Sequence, residues 1–132
     1  VTGPIVVQGV VRPGDRRGRL LGFPTANLHD TDAVRLDGVY AGAVLLDDAG
    51  TGAVPAVVSV GRRPTYYGGE GVRLLEAYLL DWAGDLYGRL IRVELHRHLR
   101  PQRRFEGTAD LIGQIARDVA ATRTWAGAGS IR

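Results

Sequence analysis

Thr25 and Asn27 stand one residue apart, directly after Phe23-Pro24. Pro24 fixes its own φ and pushes Phe23 towards an extended shape. In an extended chain, residues two apart point the same way. The pair should therefore present a hydroxyl and an amide oxygen on one side. Both are hard oxygen donors. Mg²⁺ in nucleotide sites takes only one or two protein ligands and fills its shell with phosphate oxygens and waters. Just upstream, Gly14, Gly18 and Gly22 sit four apart, with Arg16, Arg17 and Arg19 between them and Arg12 ahead. Glycine lets backbone N–H groups approach a ligand closely. Arginine forks match phosphate oxygens. The spacing matches neither the Walker A loop nor the dinucleotide fingerprint. Taken alone, the glycines and arginines also fit a solvated basic turn.

Glu76 is the second candidate. The chain has four glutamates, at positions 70, 76, 94 and 106. On a strand, Glu76 shares a face with Leu74, Tyr78, Leu80 and Trp82. A carboxylate on an apolar face is costly unless it is paired or functional. Desolvation strengthens it as a general base. The alternatives are that this face is outward, or that an arginine neutralises Glu76. Asp81 is the next candidate for a base.

Composition narrows the class. The 132 residues suit one domain with a real core. The pI near 9.8 favours anionic ligands. All 17 basic residues are arginine. Without lysine there is no Walker A lysine and no protein-kinase strand lysine, so two large classes of phosphoryl-transfer enzyme are excluded. Cysteine is absent, which removes disulfides and thiolate metal sites and is compatible with the cytoplasm. No apolar run reaches membrane-spanning length and no signal peptide is visible. The chain also lacks methionine, so Val1 is expected to follow processing or excision from a longer protein. His96 and His98 share a strand face with no third ligand near, which argues against a metal site.

The elements that must position these groups are mostly strands. Pro4–Arg12, Gly38–Leu46, Ala53–Val60, Val72–Trp82 and Gly88–Leu99 read as strands. A weak further strand is expected near Val34–Leu36. Val54–Pro55 suggests that the third clear strand begins at a sheet edge. Gly61–Gly71, with Tyr66 and Tyr67, reads as a lid-like loop or a hairpin tip. Thr108 looks like the N-cap of a helix over about 108–123, with Leu111, Ile112, Ile115 and Val119 on one face. Residues 126–132 form a small-residue tail. Short strands with one terminal helix suggest an antiparallel barrel.

Gly18-Arg19-Leu-Leu-Gly22-Phe23-Pro24-Thr25-Ala26-Asn27 closely resembles the signature of riboflavin kinases, including the kinase module of bacterial bifunctional FAD synthetases. Leu75-Glu76-Ala77-Tyr78-Leu79-Leu80-Asp81-Trp82, followed by Asp85-Leu86-Tyr87-Gly88, resembles the family's second signature. The resemblance spans roughly Val6 to Arg123. It implies a six-stranded antiparallel Greek-key β-barrel with a C-terminal α-helix. It also implies transfer of the ATP γ-phosphate to riboflavin, giving FMN and ADP with Mg²⁺. Glu76 aligns with the family's catalytic base. Thr25 and Asn27 would hold the metal. Gly14, Gly18, Arg19, Gly22, Phe23, Pro24, Leu79, Asp81 and Tyr87 would contribute to the nucleotide site. The connection from Leu99 to Glu106 resembles the family's segment before the helix, which implies flavin contacts from Arg100, Arg103, Phe105, Glu106 and Thr108. Read from the residues alone, Phe105 could equally anchor the helix in a solvated basic loop. Tyr66 stands where the family more often has phenylalanine.

No His-x-Gly-His nucleotidyl-transfer motif is present, so the chain is expected to stop at FMN. An adenylyltransferase domain ahead of Val1 is a possible partner in the native chain. Neither nucleic acid nor membrane is expected as a partner. The competing classes are a basic barrel for single-stranded nucleic acid, which would need aromatics on strand faces, and a flavin-binding barrel without kinase activity.

Overall fold

A computed structural model describes residues 4–12, 22–29, 37–46, 52–62 and 73–127. The strands are β1 (Ile5–Val10), β2 (Thr25–His29), β3 (Gly38–Leu46), β4 (Ala53–Arg62), β5 (Arg73–Leu79) and β6 (Leu90–Arg100), followed by helix α1 (Thr108–Trp125). All pairings are antiparallel, in the order β1-β6-β3-β4-β5-β2. Strands β3, β4 and β5 form a meander, and β6 returns to lie beside β3, which is a Greek key. The sheet curls into a half-barrel. Its edges meet at one bridge, where the Arg12 N–H donates to the Asn27 carbonyl at 2.8 Å.

Alternation along the strands builds two cores. Ala26, Leu28, Leu75, Ala77, Leu79, Val58, Val60, Val44, Val93 and Leu95 point inward and fill the half-barrel. Residues one step out of phase point the other way. There Val39, Val57, Tyr78 and Leu80 pack against Ile115 and Val119 of α1, with Phe23 and Leu111 at the margin. Strands β4 and β5 are thus buried on both faces, as their near-continuous apolar sequences require. Gly42 sits at a register shift between β3 and β6. A Cβ there would collide with the Glu94 carbonyl oxygen, so the close approach of the two strands demands glycine.

The structure departs from the sequence expectations at several places. A strand is found at Thr25–His29, where none is expected; the segment near Val34 lies outside the described residues. Ala26 and Leu28 supply the inward face of β2, while a preceding proline and Asn27 disguise it as loop. Strand β4 is central in the sheet order, but its start at Ala53–Pro55 is paired only with β3, since the β5 pairing begins at Ala56, so Pro55 does sit at a local edge. The Pro55 carbonyl accepts from the Leu80 N–H at 2.9 Å. Its missing N–H therefore faces the place where β5 ends and the chain turns away, so no ladder bond is lost. That turn begins at Leu80 and Asp81, and Asp81 adopts φ 57°. Trp82 consequently leaves the face of Glu76 and packs against the inner core. Finally, α1 is capped by Gly107 with no side-chain bond, leaving Thr108 as its first helical residue, and it runs on to Trp125.

Candidate active site

The site grows from one cross-strand row. Asn27 on β2 stands opposite Glu76 on β5, and Glu76 stands opposite Ser59 on β4. Cross-strand partners share a face, so an amide, a carboxylate and a hydroxyl lie side by side on the helix-bearing face. One step along, Thr25 pairs with Tyr78. Every one of these side chains is buried, with Glu76 and Asn27 each 1% exposed. Withdrawing a carboxylate from water costs several kcal/mol, whereas burying a leucine there would gain about 1.5–3 kcal/mol. Core packing alone would therefore select against Glu76. The Tyr78 hydroxyl donates to Glu76 Oε1 at 3.1 Å.

Thr25 Oγ1 and Asn27 Nδ2 are buried and lack a hydrogen-bond partner among the described residues. Orphaned polar atoms in a folded core are rare and mark a missing ligand or a functional role. Thr25 Oγ1 is one of the hard oxygen donors singled out above; Asn27 Nδ2 is an N–H donor that suits an oxygen acceptor such as a phosphate, and the cation-binding atom of Asn27 would be its Oδ1. The donor set fits a Mg²⁺ ion that draws the rest of its shell from phosphates and waters. Among the described residues no cluster of three or more His, Cys, Asp or Glu is placed to hold a metal by itself. His96 instead contacts Glu94 at 3.0 Å and the ring of Trp125.

A cleft of about 980 Å³ opens between Asp37 just ahead of β3, the end of β4, the 101–107 connection and the start of α1. Arg103, Phe105, Thr108 and Gln102 line it. Phe105 lies under two guanidiniums, with the Arg103 Cζ 4.7 Å and the Arg100 Cζ 5.9 Å from its ring centroid. Arg103 is braced by Gln114 at 2.9 Å and Asp110 at 3.1 Å. Arg100 is committed to the fold: Asp118 of α1 holds it by two bonds of 2.9 and 2.7 Å. Glu106 is exposed.

Gln102 joins the cleft to the row. Its Nε2 donates to Ser59 Oγ at 2.8 Å and to the Val60 carbonyl at 2.9 Å. Neither Gln102 nor Ser59 was marked by type or motif. Each gains its place from register, and the only sequence signal was a lone serine inside the valine-rich β4.

The remaining candidates are spread around this centre. Phe23 packs at the edge of the helix-side core, and Gly22 takes φ 82° just ahead of it. The Pro24 carbonyl accepts from the Leu79 N–H at 3.0 Å, which extends the β2–β5 pairing and seats Thr25. Leu79 points into the barrel, and Tyr87 packs against the same inner core. Asp81 is exposed and paired with Arg123. Gly14, Gly18, Arg19 and the 63–71 part of the lid-like loop, with Tyr66 and Tyr67, lie outside the described residues.

A sequence profile of the flavokinase family, described as riboflavin kinase, matches residues 1–126. The chain belongs to the riboflavin kinase family. That family comprises transferases. Similar proteins named bifunctional riboflavin kinase/FMN adenylyltransferase occur in Escherichia coli K12, 43% identical over 94% of this chain, and in Pseudomonas fluorescens, 41% over 93%. One from Bacillus subtilis is 34% identical over 87% of this chain. The chain spans only about two fifths of these relatives, 39% of the first two and 36% of the third. The fold also matches a Streptococcus pneumoniae crystal structure named as a macrolide-efflux protein, with TM-score 0.76 and 33% identity, covering 92% of this chain and 39% of that one. Among the described residues no helix is long and apolar enough to cross a membrane.

Proposed function

We propose that this chain transfers the γ-phosphoryl group of ATP to the ribityl 5′-hydroxyl of riboflavin, with Glu76 as the general base. The observation that supports it best is a carboxylate buried to 1% exposure, in register with Asn27, inside a chain of the riboflavin kinase family. Glu76 takes the hydroxyl proton as the hydroxyl oxygen bonds to the γ-phosphorus. The bond from that phosphorus to the bridging oxygen breaks, and ADP leaves with the bonding pair. Thr25 and Asn27 would hold Mg²⁺, which neutralises phosphate charge when bound. The Gly14–Gly22 stretch, with Arg19, Phe23 and Pro24, would hold the phosphates. Leu79, Asp81 and Tyr87 would bound the nucleotide.

The cleft at Phe105 is the place for the isoalloxazine ring. Its volume is of the size that holds a small ligand. Arg103 and Phe105 would offer a cationic edge and a stacking face, and Thr108 a polar one. Arg100 and Glu106 would act on the flavin at most from the margin, Arg100 by steadying Phe105. The whole protein is read as a cytoplasmic bifunctional enzyme in which a separate adenylyltransferase domain uses the FMN. The deciding assay incubates the protein with riboflavin, ATP and Mg²⁺ and separates the flavins by chromatography. FMN should form only when all three are present. Absence of FMN, with tight binding of single-stranded oligonucleotide, would overturn the reading.

A further inference from the structure

We propose that Tyr78 is a positioning residue for the phosphoryl-transfer step, holding one oxygen of Glu76 so that the other faces the substrate hydroxyl. The inference rests on Glu76 being the base. Tyr78 and Glu76 are two apart on β5 and share a face, and the phenol O–H donates to Oε1 at 3.1 Å. Both side chains are at most 5% exposed. A carboxylate rotates about its last torsion through a broad, two-fold well. A donor fixed to one oxygen removes that freedom. It also stabilises the anion, which an apolar setting otherwise disfavours, and a base must be ionised to accept a proton.

The donor is itself held still. The Tyr78 ring is clamped in the helix-side core with Leu80, Ile115 and Val119. Its cross-strand partner is Thr25, one of the two metal-ligand candidates. The phenol therefore shares a strand face with the proposed base and stands opposite one of the proposed metal donors. A phenylalanine would satisfy the packing equally well, and the hydroxyl is the part that packing does not require. Helix α1 reaches the proposed base through this ring, which gives it a role beyond covering the sheet.

The test is a double-mutant cycle on the folded chain. Tyr78→Phe keeps the ring and removes only the donor. We expect kcat to fall about 10- to 100-fold, in line with loss of a hydrogen bond to a charged group, while KM for riboflavin and for ATP stays within about twofold. The melting temperature should stay near that of the parent, which excludes misfolding. In a Glu76→Gln background the same change should have little further effect on kcat. An unchanged kcat in Tyr78→Phe, with Glu76→Gln inactive, overturns the positioning role and leaves the base standing. Equal losses in both backgrounds overturn it too, because Tyr78 would then act without Glu76. Full activity in Glu76→Gln removes the base and this inference together.

Discussion

Asn27 and Glu76 face each other across β2 and β5, each 1% exposed. The register fixes this neighbourhood, so a change at Glu76 that keeps its shape tests chemistry and not folding. Glu76→Gln retains size and hydrogen bonding but cannot take a proton. The rate should drop about 10²–10⁴-fold, the usual loss on removal of a general base. Affinity for ADP should persist, and the melting temperature should hold or rise because a neutral group replaces a buried charge. Steady-state kinetics, ADP calorimetry and thermal melts report the three quantities. Turnover within a few-fold of the parent would move the base elsewhere.

Thr25 tests the metal assignment. Its hydroxyl is buried and makes no hydrogen bond among the described residues, so Thr25→Val deletes a group whose burial is uncompensated. Stability should be equal or higher. Turnover at limiting Mg²⁺ should be poor, and the Mg²⁺ concentration for half-maximal rate should rise. An unchanged Mg²⁺ titration would refute Thr25 as a ligand.

Gln102→Leu should separate flavin binding from catalysis. It leaves Ser59 Oγ and the Val60 carbonyl without their donor, at a cost of about 1–3 kcal/mol, towards the lower end where water reaches them. The 101–107 connection loses its tie to the sheet. The expected signature is a raised KM for riboflavin with KM for ATP little changed. Equal rises in both would mean that the cleft is not the flavin side.

One ion pair predicts a pH effect. The hydrogen bond from Arg123 holds the Asp81 carboxyl below its ordinary value. A depressed carboxylate contributes stability above the unfolded pKa and loses it as pH falls through the folded one. The Asp81 contribution is therefore complete at neutral pH and disappears in acid. Because the pair is exposed, the effect is small and salt-sensitive. Arg123→Ala should move the Asp81 titration upward when followed by NMR, and should flatten any acid-side loss attributable to the pair.

Strand and helix content was legible where side-chain period was clean. Strand β3 and the start of α1 carry apolar patterns that only one structure buries, and the sequence bounds match the observed Gly38–Leu46 and the onset at Thr108. Strand β2 was illegible because Pro24 precedes it and its helix-side positions carry the polar Thr25 and Asn27, which hide the short apolar alternation of Ala26 and Leu28. Glu76 was legible for the opposite reason: a carboxylate in an apolar strand stands out. Gln102 and Ser59 were not, since their partnership depends on β4 register and on the path of a connection 42 or more residues away. The Arg100–Asp118 pair likewise unites residues 18 apart, and no local pattern distinguishes that arginine from its unpaired-looking neighbours in sequence.

The Arg12–Asn27 bridge closes the half-barrel, and the Leu79–Pro24 hydrogen bond pins the chain again just before β2. The described residues on either side of 13–21 are thus anchored to the barrel at two points. Loop-closure entropy grows slowly with length, by only about 0.6 kcal/mol per doubling. Insertions and deletions in this stretch should therefore cost the fold little, while strand pairing keeps Thr25 and Asn27 in register. The length of this stretch and the register of β2 become separately adjustable under selection, because the bridge insulates one from the other.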